Sequence, residues 1–248
     1  MKPRSARGDI PETRSAEEVQ REAIRVLRSN LQVALSDLQN PIVVVTSSKA
    51  GEGKTSTCVP LAQSMAQGGS RVVLVDLDLR HPDAHRVLDR PNSLGAVDVL
   101  RGKTVVEDAL QFVPVSRGAG LYFLSTGSSV DNPTELLGTG RMPMLLNALA
   151  QQADIVLVDT APVLPVADTL VVGRLAAGAV LVIEARRTPV PAVQRAKDAL
   201  IRNQTRILGL VLNRVRAQDS AYGYGFYGYG RDAAGDMESS GEPATAAD

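Results

Sequence analysis

Six short runs of β-branched and aliphatic residues recur along the middle of the chain: IVVVT (42–46), RVVLVD (71–76), LYFLS (121–125), DIVLVD (154–159), AVLVIEA (179–185) and RILGLVLN (206–213). Each is apolar almost throughout, as a strand covered on both faces requires, and helix-length stretches such as 54–67, 141–152 and 190–203 separate them. That alternation predicts an α/β fold: a doubly wound, mostly parallel sheet with helices on both faces. Sheets of this kind bind ligands beyond the carboxyl ends of their strands, so the chemistry is expected just after each run. At 248 residues and 44% hydrophobic content, the chain suits one large domain and not obviously two.

The first run leads into TSSKAGEGKTST, where a phosphate-binding loop belongs between strand and helix. Gly51 and Gly53 let backbone N–H groups close around phosphates, with Lys49, Glu52 and Ser56 completing the nucleotide-binding stretch. Lys54 is expected to reach the β and γ oxygens, and the Thr55 hydroxyl to ligate magnesium. Ser48 stands where the common spacing has its first glycine.

The second run ends in VDLDLRHPDAH. Side chains two residues apart at a strand end point to one side, so Asp76 and Asp78 can both face the nucleotide, one in the magnesium shell and the other taking a proton. Asp76 is the first nominee for the base and Asp78 the alternative. His81 and His85 have the i, i+4 spacing of a metal pair, but no third ligand is apparent and the reading is loop or helix-start packing. Asp159, closing an apolar strand, is the expected second magnesium contact. Asp168 reads as a helix N-cap, and Asn213 as an amide offered to a nucleotide base.

At the amino-terminal side, residues 1–14 read as flexible and RSAEEVQREAIRVLRSNLQVALSDLQ as an amphipathic helix over 15–39, opened by a Ser15/Glu18 capping box. Val19, Ala23, Leu27, Leu31 and Leu38 share one face, and Glu22, Arg25 and Arg28 form a charged stripe on another. At the other end, YGYGFYGYG (222–230) holds four of the five tyrosines, and the following RDAAGDMESSGEPATAAD carries five acidic residues against Arg231. Four glycines alternating almost perfectly with the rings disfavour helix and strand, so 217–248 is expected to be a flexible, disordered tail that presents its tyrosines.

The 27 basic and 27 acidic residues balance, and no nucleic-acid partner is expected. Cys58 is the lone cysteine, which fits a reducing compartment, and its plain reading is a small buried helix residue. No apolar stretch approaches the roughly 18 residues that span a bilayer, and MKPRSARGDI lacks the apolar centre of a signal peptide. The expectation is a cytoplasmic chain that meets a membrane only through a partner.

Together these segments resemble the bacterial tyrosine kinases of capsular and exopolysaccharide synthesis, a branch of the P-loop NTPases. EAIRVLRSN resembles the family's E-x-x-R-x-x-R oligomerisation helix, SSKAGEGKT its Walker A, LVDLDLRHP its Walker A′, VLVDTAP its Walker B, and the tyrosine ribbon its autophosphorylation cluster. The resemblance implies a kinase domain over 15–216 that uses ATP and Mg²⁺, with Tyr222, Tyr224, Tyr227 and Tyr229 as phosphoacceptors and Glu22, Arg25 and Arg28 at the contact between subunits. It further implies a homo-oligomeric ring, a transmembrane activator of the polysaccharide co-polymerase type, a tyrosine phosphatase as counterpart, and a place at the inner face of the cell membrane. The rival is a partitioning or division-site ATPase switch, whose cross-dimer lysine Lys49 would match, although Ala50 replaces that group's glycine.

Overall fold

The computed structural model describes residues 15–116 and 118–216. Residues through Asn213 gather into one compact unit; a second begins at Arg214, of which only residues to 216 are described. In chain order the first elements are α1 (Ala16–Leu35), β1 (Ile42–Ser47), α2 (Lys54–Gln67), β2 (Val72–Leu77), α3 (Ala84–Val87), α4 (Ala96–Leu100) and α5 (Val106–Ala109). There follow β3 (Leu110–Ser116), β4 (Ala119–Leu124), α6 (Pro133–Leu137), α7 (Arg141–Gln152), β5 (Ile155–Thr160), α8 (Asp168–Gly173), β6 (Gly178–Glu184), α9 (Val190–Arg202) and β7 (Ile207–Asn213).

The strands form one sheet in the order β3-β4-β2-β5-β1-β6-β7, parallel except for β3 against β4. All six runs read from the sequence are strands, to within two residues at each end. β1, β2 and β5 are buried at every position, because helices cover both faces. Alternation divides their side chains between two cores. Val44, Val73, Val75, Val156 and Val158 pack with Leu145 and Leu149 of α7 and Leu200 of α9. Val43, Val45, Leu74 and Leu157 pack with Leu31 of α1 and Leu61 and Met65 of α2.

The sequence reading missed β3. Its burial alternates, its Phe112 is exposed, and it contains Pro114, a residue tolerated at a sheet edge but not in a central strand. Phe112 meets Tyr122 of β4 edge-to-face at 5.7 Å, a cross-strand pair that pins this edge.

The predicted capping box is present: Ser15 Oγ accepts from the Glu18 N–H at 3.3 Å, and Glu18 Oε2 from the Ser15 N–H at 3.0 Å. The helix then stops at Leu35, four residues short of the expected end, because the chain must turn through Ser36 to enter β1. Leu38 therefore lies off the helix. Of the predicted apolar face, Leu31 is buried and Leu27 packs against the core, whereas Val19 is exposed. Among the described residues no helix is long and apolar enough to cross a membrane.

Candidate active site

The phosphate loop joins β1 to α2. Gly51 and Gly53 adopt φ of +84° and +95°, conformations that side-chain-bearing residues rarely enter. Gly53 is constrained twice, since a Cβ there would lie 1.9 Å from Asn213 Nδ2. It is also the N-cap of α2, with no side chain capping the first turn. Backbone N–H groups at that end, with the helix dipole behind them, are a ready anion site.

Facing the loop are three carboxylates from neighbouring strand ends. Asp76 and Asp159 are direct partners in the register of β2 and β5. Both are fully buried. Asp76 is fixed by two backbone donors, the Asp78 N–H at 3.1 Å and the Ala84 N–H at 3.2 Å. Burial, and then the facing Asp159, push its pKa up to about 8. Asp78 forms a 2.7 Å ion pair with Lys54 Nζ and accepts the His81 N–H at 3.0 Å. Burial alone would lower the Lys54 pKa; Asp159, Asp78 and Asp76 outweigh it and hold the ammonium above its ordinary range.

Asp159 differs from the other two. Neither of its oxygens has a hydrogen-bond partner, although the residue is wholly buried. Burial raises its pKa to about 6, while Lys54 and the nearby Thr55 hydroxyl pull the other way; Thr55 lies close enough to favour the charged form without completing a bond. A buried, unpartnered carboxylate is costly and calls for a ligand. Cys58, one turn along α2, is buried as expected, and burial with the two aspartates pushes its thiol pKa well up.

Comparison with known proteins decides the family. Residues 39–241 match the family described as "ParA: NUBPL iron-transfer P-loop NTPase". The chain is 37% identical over 204 residues to the tyrosine-protein kinase YwqD of Bacillus subtilis, covering 82% of this chain and 85% of that one. This chain belongs to the bacterial tyrosine kinases. The kinase is also 36% identical over 206 residues to the putative tyrosine-protein kinase AmsA of Erwinia amylovora, of whose length it spans only 28%. Among solved structures, the kinase domain of Escherichia coli ETK matches with a TM-score of 0.74 and 28% identity, covering 85% of this chain and 87% of that one. The septum site-determining protein MinD from Pyrococcus horikoshii, solved with Mg-ADP, shares the fold alone, at a TM-score of 0.61 and 24% identity over 72% of each chain. The kinase is thus a nucleotide-binding enzyme of the P-loop fold.

The remaining predicted residues fall around this centre. Lys49 is exposed on the loop, and Ser56 Oγ donates to the Gly53 carbonyl at 3.1 Å. Asn213 Nδ2 donates to the Glu52 carbonyl at 3.0 Å and so braces the loop. Asp168 is not the N-cap of α8, a position held by Ala167. Its buried carboxylate instead receives Arg80 Nε at 2.7 Å and Nη2 at 3.2 Å, with the Thr134 hydroxyl on the same group. Among the described residues no cluster of three or more His, Cys, Asp or Glu could hold a metal by itself, so His81 and His85 form no such site.

On α1, Glu22 and Arg25 pair at 3.2 Å on the exposed surface. Arg28 reaches inward to the Ser64 carbonyl in α2 at 2.7 Å. Tyr222, Tyr224, Tyr227 and Tyr229 lie outside the described residues. Sequence reasoning missed the Arg80–Asp168 pair, two residues 88 positions apart with no local signal linking them.

Proposed function

We propose that the kinase transfers the γ-phosphoryl group of ATP, in the presence of Mg²⁺, to Tyr222, Tyr224, Tyr227 and Tyr229 of a neighbouring subunit, and thereby regulates capsular or exopolysaccharide synthesis or export. The observation that carries the phosphoryl-transfer site is the orphaned Asp159 carboxylate facing Thr55 beneath the phosphate loop. Magnesium is held characteristically by one or two carboxylates together with phosphate oxygens and water, so Asp159 and the nearby Asp78, with the Thr55 hydroxyl, fit it without an all-protein cage. When bound, it neutralises charge on the β- and γ-phosphate oxygens.

The chain's own groups do the rest. Backbone N–H groups of the loop and of the first turn of α2 receive the phosphates, and Lys54 exchanges its Asp78 partner for phosphate oxygens. The phenol oxygen forms the new bond to the γ-phosphorus as the bond to ADP breaks. The phenolic proton passes to a carboxylate, since a group with a pKa near 10 is a weak nucleophile at neutral pH. Asp76 keeps the first nomination from its place at the end of β2, and Asp78 is the alternative because the exchange at Lys54 frees one of its oxygens.

The acceptor assignment rests on the tyrosine ribbon together with membership of a family whose named relatives are tyrosine-protein kinases. A hydrolytic switch of the division-site type would use the same loop, with Lys49 reaching across a dimer, but leaves the ribbon without a role. In this reading 15–216 is the catalytic domain and 217–248 the presented tail. Subunits assemble as a ring through Glu22, Arg25 and Arg28, a transmembrane adaptor holds the ring at the inner face of the membrane, and a tyrosine phosphatase resets it.

Incubation of purified protein with ATP and Mg²⁺, followed by mass spectrometry of tail peptides, tests this. Phosphate on tyrosines 222–229 is expected. ATP consumption that leaves every one of these rings unmodified, with an adaptor's cytoplasmic segment supplied, would replace the kinase reading with the hydrolytic switch.

A further inference from the structure

Glu52 puts a carboxylate inside a loop built to receive anions. It is buried, with 4% exposure remaining, and both its oxygens are engaged by donors of the loop and of the β6–α9 connection. Three donor groups hold it there. Ser48 Oγ lies 2.8 and 2.9 Å from its two oxygens, the Lys49 N–H donates at 2.9 Å, and the Thr188 hydroxyl donates at 2.5 Å. The Ser48 hydroxyl occupies the position where the common spacing has glycine, so the departure from that spacing supplies one of the clamp's donors.

The Thr188 contact comes from 136 residues away, in the connection between β6 and α9. That hydroxyl in turn accepts the Glu184 N–H at 2.9 Å, and the Thr188 N–H donates to the Glu184 carbonyl at 3.0 Å. A short hydrogen-bonded relay therefore runs from the last residue of β6 to the floor of the phosphate loop. Asn213, at the end of β7, braces the same residue through its carbonyl.

We propose that Glu52 is a positioning residue, and that the Glu52–Thr188 bond sets nucleotide affinity from the β6–α9 connection. Held by three donors, the carboxylate shapes the loop and keeps its charge off the phosphates. With donors removed, it is free to turn toward the ligand and repel it, and the Lys49 N–H loses a fixed partner. A displacement of the β6–α9 connection acts on the nucleotide in the same way, without touching it. The inference rests on the loop's nucleotide-binding role and adds a control point outside the loop.

The test is calorimetric titration of the full chain with Mg-ADP, with KM and kcat for ATP measured alongside. Thr188→Val is expected to weaken ADP about 3–10-fold and to raise KM by a similar factor, leaving kcat at saturating ATP within about twofold. Thr188→Ser, which keeps the hydroxyl, restores the original affinity. In a Glu52→Gln background, Thr188→Val should add less than about twofold, because the two act through one bond. Unchanged ADP affinity in Thr188→Val, equal losses in Val and Ser variants, or fully additive effects with Glu52→Gln would each overturn the proposal. Failure of the unaltered chain to bind ADP would remove the nucleotide reading itself, a distinct result. Thr188→Val lies outside the loop, so the inference stays testable should Glu52→Gln fail to fold.

Discussion

Asp159→Asn should stabilise the protein while disabling it. Burial lifts the Asp159 carboxyl from an ordinary 3.8 to about 6. The folded protein therefore holds this proton more tightly than the unfolded chain does. Its contribution to stability is fully present below the ordinary value and is lost as pH rises through about 6. Two pK units correspond to roughly 3 kcal/mol, all of it lost by pH 7.5. An asparagine of nearly the same shape carries no charge and escapes that loss. For a domain of this size the gain should raise Tm by roughly 5–10 °C at pH 7.5 in the absence of nucleotide and metal. At pH 4.5 roughly two-thirds of the advantage should disappear, because wild-type Asp159 is then largely protonated in the folded state. Loss of the Asp159 charge also relieves Asp76, whose raised pKa owes part of its shift to that neighbour. Saturating Mg-ATP, at about 100 times its Kd, should add roughly 2.7 kcal/mol to the wild type and little to the variant. Scanning calorimetry at the two pH values, with and without Mg-ATP, reads all four quantities. A variant that melts below wild type by the same margin at both pH values would refute the reasoning, since an isolated buried charge would then carry no penalty.

Three further outcomes are expected. Lys54→Met should abolish tyrosine phosphorylation with the fold retained by circular dichroism; persistent autophosphorylation of the purified variant would displace the site from this crevice. Arg25→Ala should weaken self-association and phosphorylation between subunits with little change in Tm, because its pair with Glu22 is exposed. Arg28→Ala should do both and lower stability by about 0.5–1.5 kcal/mol through loss of the Ser64 bond. Sedimentation velocity and thermal melts separate the two arginines, and identical behaviour would show that the Ser64 contact carries no energy.

The central sheet was legible because parallel strands buried on both faces must be nearly all apolar, as β1, β2 and β5 are. β3 escaped because an edge strand has no such obligation and can carry Pro114. The phosphate loop and three aspartates were legible for a related reason: the fold requires ligands at strand ends, and glycine, lysine and aspartate there stand out against aliphatic neighbours. What those groups do to one another was not legible. Asp76 and Asp78 look equivalent in sequence, yet one is locked by two backbone N–H groups and the other takes Lys54. Asp168 read as a helix cap because its partner Arg80 lies on another strand's loop, and the Thr188 anchor of Glu52 was invisible for the same reason.

Arg28 grips one end of α2, and the phosphate loop forms the other. Fourteen residues at 1.5 Å each make this helix a beam about 21 Å long, with Pro60 as a gap in its internal bonding. In the proposed ring, a neighbouring molecule that pulls on Arg28 would tug the far end of the rod bearing Lys54 and Thr55. Quaternary contacts made there would then lie mechanically in series with catalytic geometry, so that loosening one slackens the other.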